Sequence, residues 1–233
     1  MKGAIPCTKK PFFCGTLYDY GVAVATRMKR CVIIGGADIE NYEPIRRKIS
    51  KDDYFIYCDG GLKHKNKLGF EPQLIVGDFD SYENPHLNVE TIVLPCEKND
   101  TDTFFAAKEA VKRGFDEFLL IGTVGGRLDH TIGNISILLY LFDAGKKAEM
   151  IDDYSEMQIV SKETVFVDST YEFFSLLNIS GEAEGITVKN AKYPLDKAQI
   201  TCEYQYGISN EPLPDKISEI TVKKGKMLLV KVR

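Results

Sequence analysis

The feature that most constrains this chain is a change of rhythm near residue 153. Before it, short apolar runs alternate with segments of helical spacing; after it, strand-like runs follow one another without a helix. In the first part, Arg30 to Gly36 (RCVIIGG), Tyr54 to Cys58 (YFIYC), Leu74 to Val76, Val89 to Leu94, Glu117 to Gly122 (EFLLIG) and Ala148 to Ile151 read as strands. Between them, Tyr42 to Ile49, Leu62 to Leu68, Asp102 to Arg113 and the run carrying Leu128, Ile132, Ile135, Leu139 and Phe142 read as helices. Thr101 is the expected N-cap of the third helix, because its hydroxyl can accept an unpaired first-turn N–H. Phe104, Ala107 and Val111 fall on one face of that helix, and Gly114 ends it; Gly145 ends the fourth. Such alternation predicts parallel crossovers, with helices on both faces of a sheet and a site in the loops after the strands' C-terminal ends.

In the second part, Met157 to Val160, Thr164 to Val167, Tyr171 to Ile179, Gly185 to Val188, Gln199 to Tyr206, Ile217 to Val222 and Met227 to Val232 read as strands. A series of short strands predicts an antiparallel sandwich or small barrel. The expected fold class is therefore α/β: a Rossmann-like parallel-sheet domain over 28–153, then an all-β sandwich domain over 154–233. Residues 1–27 fit neither half. Met28 leads straight into the first strand, and both a start at Met28 and an ordered extension remain open.

Composition narrows the function. With 44% hydrophobic and 27% charged residues and a formal charge of −4, the chain has a core to bury and no reason to wrap a polyanion, so nucleic acid is not an expected partner. No apolar window is long enough to span a bilayer. Lys9, Lys10, Phe12 and Phe13 begin like a signal peptide, but Tyr18, Asp19 and Tyr20 interrupt the apolar core one would need. The six cysteines at 7, 14, 31, 58, 96 and 202 include no C-x-x-C pair. Reduced, mostly buried thiols in a cytoplasmic protein are expected.

Unusual residues gather in the loops after the strands. Gly77-Asp78-Phe79-Asp80-Ser81 follows the run LIV. In an extended segment two aspartates at i and i+2 point the same way. Two carboxylates about 4 Å apart repel by roughly 4 kcal/mol at an effective dielectric near 20, so a proton or a cation must compensate. Mg²⁺ shared with substrate phosphates is the natural cation for hard oxygens; a solvent-exposed turn is the alternative. Lys98-Asn99-Asp100-Thr101-Asp102 enters a helix, where acids are commonly caps and where a phosphate can also bind. In Gly122-Thr123-Val124-Gly125-Gly126-Arg127-Leu128-Asp129-His130, glycines let backbone N–H groups approach an anion, and Arg127 offers a fork for phosphate oxygens. This is not a Walker P-loop. Asp59-Gly60-Gly61 and Gly35-Gly36-Ala37-Asp38 occupy two further turns. Each has an ordinary reading alone. Together they describe carboxylates for a divalent ion and donors for a polyphosphate, the equipment of phosphoryl or diphosphoryl transfer.

In this order and spacing, GGAD at 35–38, DGG at 59–61, GDFDS at 77–81, KNDTD at 98–102 and GGRLDH at 125–130 resemble the thiamine pyrophosphokinase family, as do GISNE at 207–211 and VKKGKMLLV at 222–230. The resemblance covers roughly residues 30 to 232. It implies a homodimer of two-domain subunits that binds ATP and Mg²⁺ in the first domain, with thiamine between subunits. The thiamine hydroxyl would attack the β-phosphorus of ATP, and AMP would leave. By position, Asp78, Asp80 and Asp102 would hold Mg²⁺ and orient the hydroxyl, with Asp102 the choice for general base. Asp59 and Gly60 would belong to the nucleotide site. Lys98 and Arg127 would neutralise the transferring diphosphate, and Ser81, Thr101, Asp129 and His130 would line the same pocket. Tyr193 stands where relatives carry an aromatic, in some a tryptophan, that stacks on thiamine; Ser209 and Asn210 would complete that wall. Two rivals are a D-x-D phosphatase, against which Tyr82 stands where Thr or Val is usual, and a non-catalytic nucleotide or thiamine sensor.

Overall fold

The computed structural model describes residues 30–80, 86–97 and 99–233. The apolar runs become strands β1 (Arg30–Ile34), β2 (Tyr54–Cys58), β3 (Leu74–Gly77), β4 (Glu90–Val93), β5 (Glu117–Ile121) and β6 (Lys147–Ile151). They pair in parallel in the order β4-β3-β2-β1-β5-β6, and the inner strands β3, β2, β1 and β5 are apolar and buried on both faces, as a parallel sheet requires. On one face Ala106, Ala107 and Ala110 of α3 (Asp102–Lys112) and Ile137, Leu138 and Leu141 of α4 (Leu128–Asp143) join the core. Full burial of each Ile or Leu contributes about 1.5–3 kcal/mol. On the other face, Ile39, Tyr42, Ile45, Leu62 and Leu68 close a second core.

Thr101 caps α3 as expected, its Oγ1 accepting from Phe104 N at 3.2 Å. The segment 42–49 shortens to a single turn, α1 (Glu43–Arg46). Arg30 explains this: its guanidinium takes the Lys48 carbonyl at 2.6 Å, and the chain turns away. The segment expected as a helix over 62–68 begins earlier, as a 3-10 turn over Asp59–His64 that leads into α2 (Lys65–Leu68).

The second part contains β7 (Ser155–Val160), β8 (Thr164–Val167), β9 (Phe173–Asn178), β10 (Glu182–Lys189), β11 (Leu195–Thr201), β12 (Ser218–Thr221) and β13 (Met227–Val232). Three of these extend the first sheet. β7 pairs antiparallel with β6, and the order continues β7-β13-β9, giving nine strands in all. The other four form an antiparallel sheet, β11-β10-β12-β8. Phe174, Leu176, Met227 and Leu229 of the long sheet pack with Ala183, Ile186, Val188 and Ile220 of the short one in a third core. The strand expected over 199–206 instead runs Leu195–Thr201, and residues 202–206 leave the sheet. Tyr204 and Tyr206 lend that segment β-propensity, but their rings pair with each other at 5.2 Å.

Side chains tie the two parts together at their junction. Asp153 accepts from the N–H groups of Glu40 and Asn41 at 2.9 and 3.1 Å. Glu156, buried in β7, binds Lys48 at 2.7 Å, Lys231 at 2.9 Å and Arg233. Burial pushes its carboxyl up, yet the two lysines overcome this and hold it at about 2. Among the described residues, Cys31 and Cys58 are buried free thiols while Cys96 and Cys202 are exposed, and no helix is long and apolar enough to cross a membrane.

Candidate active site

The ends of β1, β2, β3 and β5 lie side by side, so their turns converge. Glycine makes the convergence tight. A Cβ on Gly35 would fall 2.5 Å from the Gly122 carbonyl oxygen, and Gly122 itself has φ +62°, a conformation natural to glycine. The two turns are joined by Gly35 N to Ile121 O at 2.8 Å and Ala37 N to Gly122 O at 2.9 Å.

Gly77 serves the chemistry more directly. The Cβ of Asp59 occupies the space a side chain there would need, at 2.9 Å from its ideal Cβ position. Asp59, only 4% exposed, is thereby held against the start of GDFDS. The carboxylate oxygens of Asp59, Asp78 and Asp80 come within 4.8 Å of one another. The Asp78/Asp80 pair does not arise from an extended pleat, as expected from the spacing. Phe79 has φ +59°, a left-handed conformation that costs a non-glycine residue on the order of 1–3 kcal/mol. The kink lets Asp80 N reach Asp78 Oδ1 at 3.3 Å, while the Phe79 ring packs on the second core. Such local strain is common where a site needs an unusual geometry.

Asp102, expected with Asp78 and Asp80, is not one of this trio. It opens α3 and lines the adjoining cleft of about 350 Å³, together with Asp59, Gly60, Thr101, Arg127 and His130. Arg127 is exposed and forks onto Asp129, Nη2 to Oδ2 at 2.5 Å. That bond holds the Asp129 carboxyl down at about 2 and raises the guanidinium. Ser81 and Lys98 lie outside the described residues.

The loop after β5 is anchored by two residues that the sequence reading did not single out. Thr131 Oγ1 accepts from Gly125 N at 3.1 Å and donates to Arg127 O at 3.2 Å. Asn134 Nδ2 donates to Thr123 O at 2.8 Å. The signal was present for Asn134: it is a polar side chain buried among the Ile and Leu of α4. His64 steadies the first turn in the same way. Its Nε2 must donate to the Ala37 carbonyl at 2.9 Å, which leaves Nδ1 to accept from Tyr42 OH at 2.6 Å. Burial lowers its pKa, consistent with that neutral tautomer.

Tyr193, Ser209 and Asn210 meet elsewhere, around a pocket of about 490 Å³ that also includes Tyr206 and Ile208. Asn210 bridges to Phe174 at the outer edge of β9. Six inter-strand steps separate β2 from β9, which is roughly 29 Å at about 4.8 Å a step.

Two family models match the chain. One, described as the thiamin pyrophosphokinase catalytic domain, matches residues 45–150; the other, described as the thiamin pyrophosphokinase vitamin B1 binding domain, matches 157–227. A Bacillus subtilis protein named thiamine pyrophosphokinase is 26% identical over 212 residues, which cover 88% of this chain and 99% of that one. The crystal structure of thiamine pyrophosphokinase from Bacillus subtilis superposes with a TM-score of 0.76 at 25% identity, covering 88% of this chain and 99% of that chain. That of thiamin pyrophosphokinase from Geobacillus thermodenitrificans gives 0.75 at 26%, covering 88% and 97%. The Candida albicans structure, at 14% identity, shares the fold with a TM-score of 0.70 over 88% and 89%.

Proposed function

Because this chain belongs to the thiamine pyrophosphokinase family, we propose that it transfers a diphosphate from ATP to the hydroxyl of thiamine, giving thiamine diphosphate and AMP. The observation that carries the reading is the meeting of Asp59, Asp78 and Asp80 at the edge of a glycine-walled cleft. Three hard oxygen donors suit Mg²⁺, which typically binds through a few carboxylates together with substrate phosphates. Asp59, Asp78 and Asp80 would hold it, and when bound it would supply charge neutralisation along the polyphosphate.

The chain's own residues would do the rest. Gly36, Gly60, Gly122 and Gly126 line the cleft and would let phosphate oxygens approach the backbone closely. Arg127, exposed and paired with Asp129, would release that carboxylate to bind the more highly charged transferring diphosphate. Asp102, at the helix start on the cleft wall, would orient the thiamine hydroxyl and accept its proton as the new P–O bond forms. Tyr193 would present an aromatic face to the cationic thiazolium.

The separation of the two pockets supports a homodimer. Even β5, whose loop forms the near wall of the cleft, is four strand steps from β9, roughly 19 Å at about 4.8 Å a step and more than thiamine spans, so a wall from β9 would serve a cleft on a second copy. On this reading residues 154–233 form a β-sandwich unit whose long sheet continues that of 28–153, and the enzyme is cytoplasmic. The test is to mix the protein with thiamine, ATP and Mg²⁺ and assay AMP and thiamine diphosphate, which should appear in equal amounts. Release of inorganic phosphate from a monoester without ATP, and no AMP, would establish the D-x-D phosphatase instead.

A further inference from the structure

The pocket beside β9 contains a buried amide that binds both polar groups of another residue's backbone. Asn210 is 7% exposed. Its Oδ1 accepts from Tyr193 N at 3.0 Å, and its Nδ2 donates to Tyr193 O at 2.7 Å. Oδ1 also accepts from Glu211 N at 2.9 Å. These partners fix the orientation of the amide, since a flipped group would set donor against donor and acceptor against acceptor. Its own backbone is tied to Phe174, O from Phe174 N at 2.8 Å and N to Phe174 O at 2.9 Å. The preceding Ser209 takes φ +58°, and its N–H is satisfied by Ser175 Oγ at 3.0 Å. Tyr193, in contrast, is 56% exposed. Backbone bonds hold the approach to this loop, Lys192 N to Glu211 O at 2.9 Å and Leu213 N to Asn190 O at 3.2 Å, while the backbone of the exposed Tyr193 itself is held by the Asn210 side chain.

We propose that Asn210 is a positioning residue: its amide clamps both polar groups of the Tyr193 backbone, so that the ring stands preformed as the wall of the thiamine pocket, and Asn210 does not touch the substrate. The proposal rests on the reading of that pocket given above. A clamp differs from a contact in a measurable way. Its effect on the pocket wall passes through Tyr193, so the two residues should not be additive in KM for thiamine. A preformed wall lowers the ordering cost of binding and leaves the chemistry alone.

The test combines kinetics with a reporter. Asn210→Asp keeps the size and the acceptor but places a carboxylate oxygen against the Tyr193 carbonyl. It should raise KM for thiamine about tenfold, the scale of one lost hydrogen bond with an unsatisfied partner, with kcat and KM for ATP within about twofold. Added to Tyr193→Ala, it should raise KM no further. The chain has no tryptophan, so Tyr193→Trp introduces a single indole. Its fluorescence anisotropy should fall when Asn210→Asp is added. An unchanged KM for thiamine, or a further rise on top of Tyr193→Ala, overturns the clamp. A wild-type protein that makes no thiamine diphosphate would defeat the proposed function alone. The anisotropy pair then decides the clamp by itself, and equal values overturn it.

Discussion

The cleft at the ends of β1, β2, β3 and β5 and the pocket beside β9 are built by opposite means. In the cleft, side chains are left out: Gly35, Gly77 and Gly122 let backbone segments and Asp59 approach more closely than any Cβ would allow. In the pocket, a side chain is spent: Asn210 holds a neighbouring loop by its backbone. The first arrangement suits charged groups that must meet at one point, because backbone packing cannot relax by rotating a rotamer. The second suits an aromatic that needs only a stable face. The cleft should therefore be the more sensitive of the two to small steric changes, and the pocket to changes of hydrogen bonding.

That contrast can be broken at several points. The largest effect is expected from Asp80→Asn, which removes one anionic charge from the trio. Turnover at saturating substrates should fall at least about a hundredfold, the scale of losing one electrostatic stabiliser, while the melting temperature stays within a few degrees. Near-normal turnover would show that the trio holds nothing.

Next comes the junction between the regions. Glu156→Gln should cost about 2 kcal/mol of stability in a denaturant titration, less than the roughly 3–5 kcal/mol of a fully buried pair, because Lys48 and Arg233 remain about one-third exposed. The pH dependence has a definite sign. The folded-state pKa of Glu156 is depressed to about 2 from an ordinary 4.5. Its contribution is therefore present above 4.5 and is lost as pH falls toward 2. The wild type should lose stability through that window faster than Glu156→Gln, and parallel curves would remove the junction from the account.

The smallest effect sharpens the comparison most. Gly77→Ala places a Cβ 2.9 Å from that of Asp59. The carboxylate must shift by several tenths of an ångström, and turnover should drop about tenfold, since a full ångström of misplacement can cost a hundredfold. Gly225→Ala crowds the Glu182 carbonyl oxygen at 2.4 Å in the turn before β13. It should lower the melting temperature and leave turnover per folded molecule unchanged. If the two glycines behave alike, steric tightness is not special to the cleft.

Much of this was legible in the residues. YFIYC, TVFV and MLLVKV form strands with the bounds that their apolar runs imply. Thr101 caps the helix its position announces. The turns carrying GGAD, DGG and GGRLDH do converge, because parallel strands place them at one edge. What was not legible depended on pairing over long distances. Asp59 and Asp78 lie in different motifs, and only the adjacency of β2 and β3 makes Asp59 the third carboxylate. The left-handed Phe79 had no local announcement, since an aromatic disfavours that conformation. The change of rhythm at residue 153 suggested separate sheets, yet Met150 pairs with Met157 across it. A pattern of burial reports the period of a strand and is silent about its neighbour.

That ladder across residue 153 has a mechanical consequence. A hinge requires a few residues free to absorb rotation. Here the connection between β6 and β7 is a hydrogen-bonded turn, buttressed by Asp153 and Glu156 on the α1 side. The β6–β7 connection is therefore braced rather than hinged. Closure around a substrate is then expected from loops or from the arrival of a second molecule, and the two ends of the nine-stranded sheet should melt together.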